Sequence, residues 1–502
     1  HAVLLPHQTK DMRWGKAIQD LPVLASERVL FIGDPVAAVA AEDEDIAQQA
    51  LDLIEIDYEE VPAVFTIEGA MASGAPIIHP DFNSYNGVTA PLTDAPPNVI
   101  VNGHWDKGDI HQGFTEAELV VERTFRSQRT HQVYLEPHNC TVWIDDEGTT
   151  QLWIGTKSPL GNRNAVAALF GLEPDSVNLN FAYVGGDFGG KGDILGVPIC
   201  YLLAKETGRP VKFALDYSEE ILAGNPRHES IMKVKVGVKR DGTITAWDSD
   251  LYFNGGAYRG FSPGGNLPGA NEIAGPYKIP HTRIDSWQVA TNTVPGGYQR
   301  GPGEVQGIFA GESMMDIIAA ELGMTPIEFR LKNVIHDGDD TPTGHHFQDI
   351  RAEEIIRTAV EASGFDGPKA PNVGRGIAYG HRTQFGGGTQ VAVSVDEGGN
   401  VLARSSIFDP GVGTHTLILQ AIAEDLGVEI ARIRVVPFST SEMSAEVFDF
   451  GMGGSRGSMV APQASIKATA ELKDELRRYA SEFNGWDEEV VTYQEGYLVN
   501  DR

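Results

Sequence analysis

AVAALFGLEPDSVNLNF, residues 165–181, and LQAIAEDLGVEIARIRVVPF, residues 419–438, follow one plan: a helix, a glycine stop, an acidic turn and an alternating strand. Glycine ends each helix, at Gly171 and Gly427, because the residue after a helix commonly takes positive φ, which a Cβ disfavours. Each unit also follows a threonine-containing loop, GTKSP at 155–159 and GVGTHT at 411–416. The pairing predicts two halves that present equivalent loops to one shared crevice. Helix, glycine, strand is also a common phrase, so alone it leaves two unrelated units equally open.

Upstream, residues 28–64 (RVLFIGDPVAAVAAEDEDIAQQALDLIEIDYEEVPAV) read as strand, strand, helix, strand: RVLFIG, VAAVA, an amphipathic EDEDIAQQALDLI, and alternating IEIDYEEV. Proline and turn formers in PLTDAPPNVIVNG, residues 91–103, predict a surface connector. Many strands with glycine loops follow to about residue 334, then a second connector around a short helix, AEEIIRTAVEAS, and a last segment. The fold class is α+β.

At 502 residues the chain is long enough for two or more domains. No apolar run approaches the roughly 20 residues that span a bilayer. A net charge of -31 argues against nucleic acid, which needs a basic face. Two cysteines, Cys140 and Cys200, supply neither a disulfide framework nor four thiolates for an iron-sulfur cluster, and a reducing cytoplasm fits them best.

The sharpest local feature is YVGGDFGGKGD, residues 183–193. Paired glycines let consecutive backbone N–H groups converge on an anion or oxo group. The spacing is neither that of a P-loop nor a G-x-G-x-x-G fingerprint. A plain turn is the competing reading for any such loop in a chain with 57 glycines.

This loop is similar to the GG-x-FGG-K loop of molybdenum hydroxylases, the family of xanthine dehydrogenase and aldehyde oxidase. Residues 277–334, YKIPHTRIDSWQVATNTVPGGYQRGPGEVQGIFAGESMMDIIAAELGMTPIEFRLKNV, resemble the family's strand, Arg-Gly loop and long helix. Residues 28–64 resemble its a/b hammerhead domain, and LEPHNCTVWID its Glu-Pro strand start at Glu136 and Pro137. DPGVGTHT (409–416) and GMGGSRGS (451–458) resemble the two loops that grip the pterin and its dinucleotide tail.

The resemblance implies an N-terminally incomplete aldehyde oxidase/xanthine dehydrogenase a/b hammerhead domain over residues 1–85 and a connector over 86–118. A molybdopterin-binding lobe over 119–335, a connector over 336–370 and a second, C-terminally incomplete lobe over 371–502 follow. It places molybdenum-molybdopterin against Gly185, Gly186, Phe188, Gly189, Gly190, Arg300, Gly413, Gly454, Ser455 and Arg456, with Phe188, Pro302 and Tyr379 lining the substrate pocket. The cytosine dinucleotide form is expected only for a bacterial source. The pterin's own sulfurs hold the metal, so no protein metal ligand is assigned, and His138, His381 and His415 read as structural hydrogen-bonders. The implied reaction hydroxylates a carbon beside nitrogen in an N-heterocycle, or an aldehyde, with water as oxygen source. Electrons then leave through partner subunits carrying 2Fe-2S and FAD.

Departures shape these expectations. The family's catalytic base, a glutamate in a Gly-Glu-Pro loop, has no counterpart before EGYLVNDR, so it is expected on another chain bearing the C-terminal molybdopterin-domain segment. Lys157 and Val412 stand where relatives often carry glutamine. The arginine and glutamate of xanthine enzymes fall on Pro268 and Gly192, and the copper-binding cysteine of carbon monoxide dehydrogenase on Gly301, which disfavours both activities. A non-catalytic, cofactor-poor scaffold is the alternative that these changes raise. A serine hydrolase is suggested by GFSPG at Ser262 and GGSRG at Ser455, but Pro263 offers no N–H to an oxyanion and no histidine follows Ser455. A glycosidase has no carboxylate pair singled out by spacing.

Overall fold

The computed structural model describes residues 1–89, 92, 95–263, 265–382, 385–437, 439–443 and 448–500. Its largest sheet has five strands in the order Val99–Lys107, His281–Ala290, Ile244–Gly256, Ser230–Val238 and Leu119–Ser127. Only Ile244–Gly256 and His281–Ala290 run parallel within it. Alternation in Ser230–Val238 buries Met232, Val234, Val236 and Val238 on one face, where they meet Met314, Met315 and Ile318 of the long helix Glu304–Leu322. The closing RLKN locks that helix to the sheet. Fully buried Arg330 donates to the Glu312 carboxylate at 2.9 Å and Asp316 at 2.6 Å, while Asn333 donates to Gly242 O and accepts from Ile244 N–H.

The repeat read from sequence is a real structural repeat. Asn139–Ile144 pairs antiparallel with Thr150–Ile154, which pairs parallel with Val177–Asn180 after the crossover helix Pro159–Phe170. Val391–Val395, Val401–Ser405 and Ile433–Pro437 repeat that order and sense around the helix Thr414–Leu426. Gly171 and Gly427 end their helices at the same φ of 63° and ψ of 36°.

The N-terminal unit differs from its sequence reading. Ala38–Ala40 pairs with Ala2–Leu4, and the helix spans Glu44–Leu51. RVLFIG is a turn instead of a strand: the Asp34 carboxylate accepts from Leu30 N–H and Tyr258 O–H, which anchors Leu30 and Phe31 in the core. IEIDYEEV forms no ladder among the described residues, and residues 55–61 stay exposed because none of those residues covers their apolar side. The stretch read as a connector, 86–118, contains the edge strand Val99–Lys107, held by its buried apolar start. The short helix in the second connector spans Ala352–Ser363. Among the described residues no helix is long and apolar enough to cross a membrane.

A methyl at position 427 would lie 2.8 Å from Glu495 Cα, whereas at 171 nothing lies within 4 Å. Gly171→Ala is expected to lower stability by about 1 kcal/mol through backbone strain alone. Gly427→Ala is expected to cost about 2–3 kcal/mol because clash adds to strain, and urea unfolding midpoints of the two variants check the difference.

Candidate functional site

A cavity of about 1000 Å³ opens between the repeats. Four helices begin at its wall. Ser158 and Gly161 belong to the start of Pro159–Phe170, and Arg300, Gly301 and Pro302 precede Glu304–Leu322. Gly413 and Thr414 open Thr414–Leu426, and Gly454, Ser455, Gly457 and Ser458 open Gly457–Asn484. In none of the four does the N-cap side chain take a helix N–H, although Asp409 accepts from His415 N–H in the first turn of Thr414–Leu426. Helix N-termini carry unsatisfied N–H groups and partial positive charge, so their convergence favours an anion. Side chains reinforce this. In a chain of net charge -31, the described residues of the wall include Arg13, Lys16, Lys157, Arg300 and Arg382 against Asp187 and Asp193.

The 183–193 loop is held from behind. Glu136 Oε2 accepts from Gly185 N–H at 2.7 Å and from the buried Lys191 ammonium at 2.5 Å, and Oε1 accepts from Asn139 at 3.1 Å. Asp187 accepts from Gly189 and Lys191 N–H. Beneath them, buried Glu220 accepts from Tyr134 O–H and from His138. Burial alone would raise the Glu220 carboxyl, but the His131 ring 3.4 Å away and hydrogen bonds from His138 bring it well below the usual range. These ties display Phe188 at a positive φ of 45°, 47% exposed at the cavity. Backbone strain of this kind on a non-glycine residue collects at functional sites.

In the second repeat, fully buried Arg456 donates to Asp449 at 2.8 Å and to the carbonyls of Gly386, Gly388 and Gly451. It organises the 449–457 loop and leaves Ser455, at φ 59°, on the cavity wall. The two repeats are joined directly: Met452 N–H donates to Lys157 O at 2.9 Å, and Ser158 Oγ to Phe450 O at 2.8 Å.

Of the residues singled out in the sequence, Phe188, Gly189, Arg300, Pro302, Gly413, Gly454 and Ser455 line the cavity. Gly185, Gly186 and Gly190 lie behind the wall, where a Cβ would strike Glu136 or Tyr134, and Arg456 is also behind it. Tyr379 lies outside the lining, with its N–H on Glu312 at 2.7 Å and its ring edge-on to Tyr277. The departures Lys157, Gly192, Pro268, Gly301 and Val412 all line the cavity. His138 bonds Glu220, His381 pairs with Glu272 at 3.0 Å, and His415 bonds Ile407 O at 2.8 Å. Ser262 is buried and donates to Gly296 O, which leaves no nucleophile at a surface, and Gly264 of its motif lies outside the described residues. Among the described residues no group of three or more His, Cys, Asp or Glu side chains is placed to hold a metal ion. Sequence reading missed Arg13, Lys16 and Arg382; the one available signal was KDMRWGK, a cationic run in an acidic protein.

Burial alone would raise Glu136, but hydrogen bonds from Lys191, Gly185 and Asn139 together hold its carboxyl below 4.5. Burial lowers Lys191 in turn, against the pull of Glu136. Because the folded carboxyl is depressed, its contribution is present above the unfolded value of 4.5 and is lost as pH falls through the lowered folded value. Glu136→Gln is expected to lower stability at pH 7 by about 1–3 kcal/mol and to flatten the acid limb of thermal stability below pH 4.5; an unchanged acid limb would count against the carboxylate as the loop's anchor.

Comparison with known proteins accords with this geometry. A profile described as "Molybdopterin cofactor-binding domain" matches residues 92–334 and a second of the same description matches 357–501. "Aldehyde oxidase and xanthine dehydrogenase, a/b hammerhead domain" matches 4–62. The nicotinate dehydrogenase large molybdopterin subunit of Eubacterium barkeri is 32% identical over 70% of this chain and 81% of its own length. The xanthine dehydrogenase molybdenum-binding subunit of Escherichia coli is 28% identical over 95% of this chain, which spans 63% of that relative's length. Among solved structures, the aldehyde oxidoreductase from Desulfovibrio gigas matches with a TM-score of 0.84 at 26% identity, over 99% of this chain and 58% of that one.

Proposed function

Since this chain belongs to the molybdopterin cofactor-binding family of xanthine dehydrogenases and aldehyde oxidases, we propose that it is the molybdopterin-binding subunit of a molybdenum hydroxylase that oxidises an N-heterocycle or an aldehyde with water as oxygen source. The observation that carries this is the convergence of four helix N-termini on one cavity, with Arg13, Arg300 and Arg382 on its wall. Such a wall suits a flat, anionic cofactor whose phosphate needs N–H donors and whose metal comes with its own sulfur ligands. The Cys- and His-free lining fits that donor chemistry.

When bound, the cofactor supplies a metal that accepts two electrons from the substrate. The chain's own residues bind and orient. Backbone at Gly413, Gly454 and Ser455 would grip the pterin and its phosphate tail, with Arg300 adding charge. Gly185, Gly186, Gly189 and Gly190 shape the loop that carries Phe188, and Arg456 holds the second loop from behind. Phe188 and Pro302 would bound the substrate, while Tyr379, outside the lining, packs edge-on to Tyr277.

Electrons would leave through an iron-sulfur subunit carrying 2Fe-2S and a subunit carrying FAD. The two buried thiols of this chain, Cys140 and Cys200 with sulfurs 3.7 Å apart, cannot ligate a cluster. Free thiols this close also favour a reducing cytoplasm. The bacterial sources of the relatives favour the cytosine dinucleotide form of the pterin.

Elemental analysis and mass spectrometry of the natively purified complex test the reading. Near-stoichiometric molybdenum with iron-bearing partner chains is the expected result; a metal-free, solitary chain would favour a scaffold. Gly413→Val is expected to lower molybdenum and pterin content severalfold at a stability loss of about 1–2 kcal/mol, because φ is +84° but no protein atom lies within 4 Å of the added Cβ.

A further inference from the structure

We propose that Lys16 and Lys157 recognise the carboxylate of a planar aromatic substrate, so that the cavity selects aromatic acids over neutral analogues of the same shape. This rests on the function proposed above, and it names the substrate class.

The two side chains come from distant parts of the chain and converge at the cavity wall on Gly192. A Cβ there would lie 3.0 Å from Lys157 Cε and 3.1 Å from Lys16 Nζ. Both ammonium groups stand over the Tyr298 ring, at 4.8 Å and 6.0 Å from its centroid. Lys157 is partly satisfied, by Gly189 O at 3.3 Å and Asp187 at 3.5 Å. Lys16 has neither a hydrogen-bond acceptor nor an ion-pair partner for its ammonium among the described residues, and its side chain is open to the cavity.

The charged groups that act on Lys16 are Lys157, Asp193 and Asp187, with Tyr298 beneath it. Neither carboxylate forms an ion pair or a hydrogen bond with its ammonium. Asp187 already accepts from Gly189, Lys191 and Lys157, and Asp193 from Leu195 and Asn225. Surrounding protein and then the repulsion of Lys157 bring Lys16 down to about 8, although Asp193 and Asp187 pull it up. An ammonium with no direct partner, set beside a second ammonium, favours an anion arriving from the cavity.

The surroundings specify the rest of the ligand. Phe188 is displayed half-exposed on its strained backbone, and Tyr298 and Pro302 share the same wall, so the anion is expected on a flat ring. Gly192 has no side chain, so the two lysines close over its backbone, and a carboxylate meets them from the cavity side. A phosphate of the cofactor has the same charge chemistry, and the experiment separates the two sources.

The purified complex, with its molybdenum and pterin content measured, is titrated calorimetrically with pyridine-3-carboxylate and with the isosteric pyridine-3-carboxamide. The acid is expected to bind at least about tenfold tighter at pH 7, the scale of a hydrogen bond to a charged group. Lys16→Met and Lys157→Gln should remove most of that preference, leaving amide affinity and pterin content unchanged. Since Lys16 loses its proton near pH 8 in the free protein, acid binding should weaken between pH 7 and pH 9. Lys16→Arg should keep the preference and abolish that pH dependence. Equal affinity for acid and amide in the unaltered protein, or a preference that survives both lysine substitutions, overturns the proposal. Loss of pterin from Lys16→Met also overturns it, by assigning the pair to the cofactor's phosphate. A complex that lacks molybdenum but still prefers the acid would refute the proposed function while leaving the carboxylate site standing.

Discussion

The two repeats meet where Gly451 faces Lys157. A Cβ at 451 would lie 1.8 Å from Lys157 O, so the approach requires glycine, and its φ of +86° requires it again. Through this gap Met452 N–H reaches Lys157 O and Ser158 Oγ reaches Phe450 O. Two hydrogen bonds thereby fix the start of the Pro159–Phe170 helix against the loop that leads into Gly457–Asn484. The cavity, its charge and its strained residues depend on that joint. Without it the repeats would present their helix termini to water, where solvent screens the field and supplies the missing hydrogen bonds.

Once the joint is made, the energetics of the wall itself turn unfavourable. Helix termini without N-cap hydrogen bonds, an unpaired ammonium at Lys16, and positive φ at Phe188 and Ser455 all raise the energy of the empty wall. An anionic ligand relieves the first two, while the backbone strain is carried by the packing behind it. The compensating stability sits behind the wall, in the Glu136–Lys191 pair, the Glu220 network and the Arg456–Asp449 pair, all of which aim backbone without entering the cavity. A layer that carries strain in front and closed hydrogen bonding behind is what a preorganised binding site needs.

How much of this was legible in the sequence depends on how local each cause is. The repeat was readable because helix period, glycine stop and strand alternation are local, and Gly171 and Gly427 share one backbone geometry. The glycine loops were readable for the same reason, although sequence could not say that Phe188 and Gly189 face the cavity while Gly185 and Gly190 face Glu136 and Tyr134. Lys16 and Arg13 were not readable as site residues, because the 13–19 segment reaches the wall through its contact with Gly260, far away in sequence. RVLFIG misled because its apolar run is anchored by one side chain, Asp34, and periodicity carries no record of such a bond.

Anomalous diffraction at the molybdenum edge, from crystals of the native complex, tests the central claim that this inter-repeat cavity holds the cofactor. The account predicts one strong peak inside the cavity, between the Phe188 loop and the Gly413 loop, with no protein nitrogen or sulfur at bonding distance and the cofactor's phosphate against the helix N-termini. A peak outside the cavity, or a metal bonded directly to protein side chains, would contradict it.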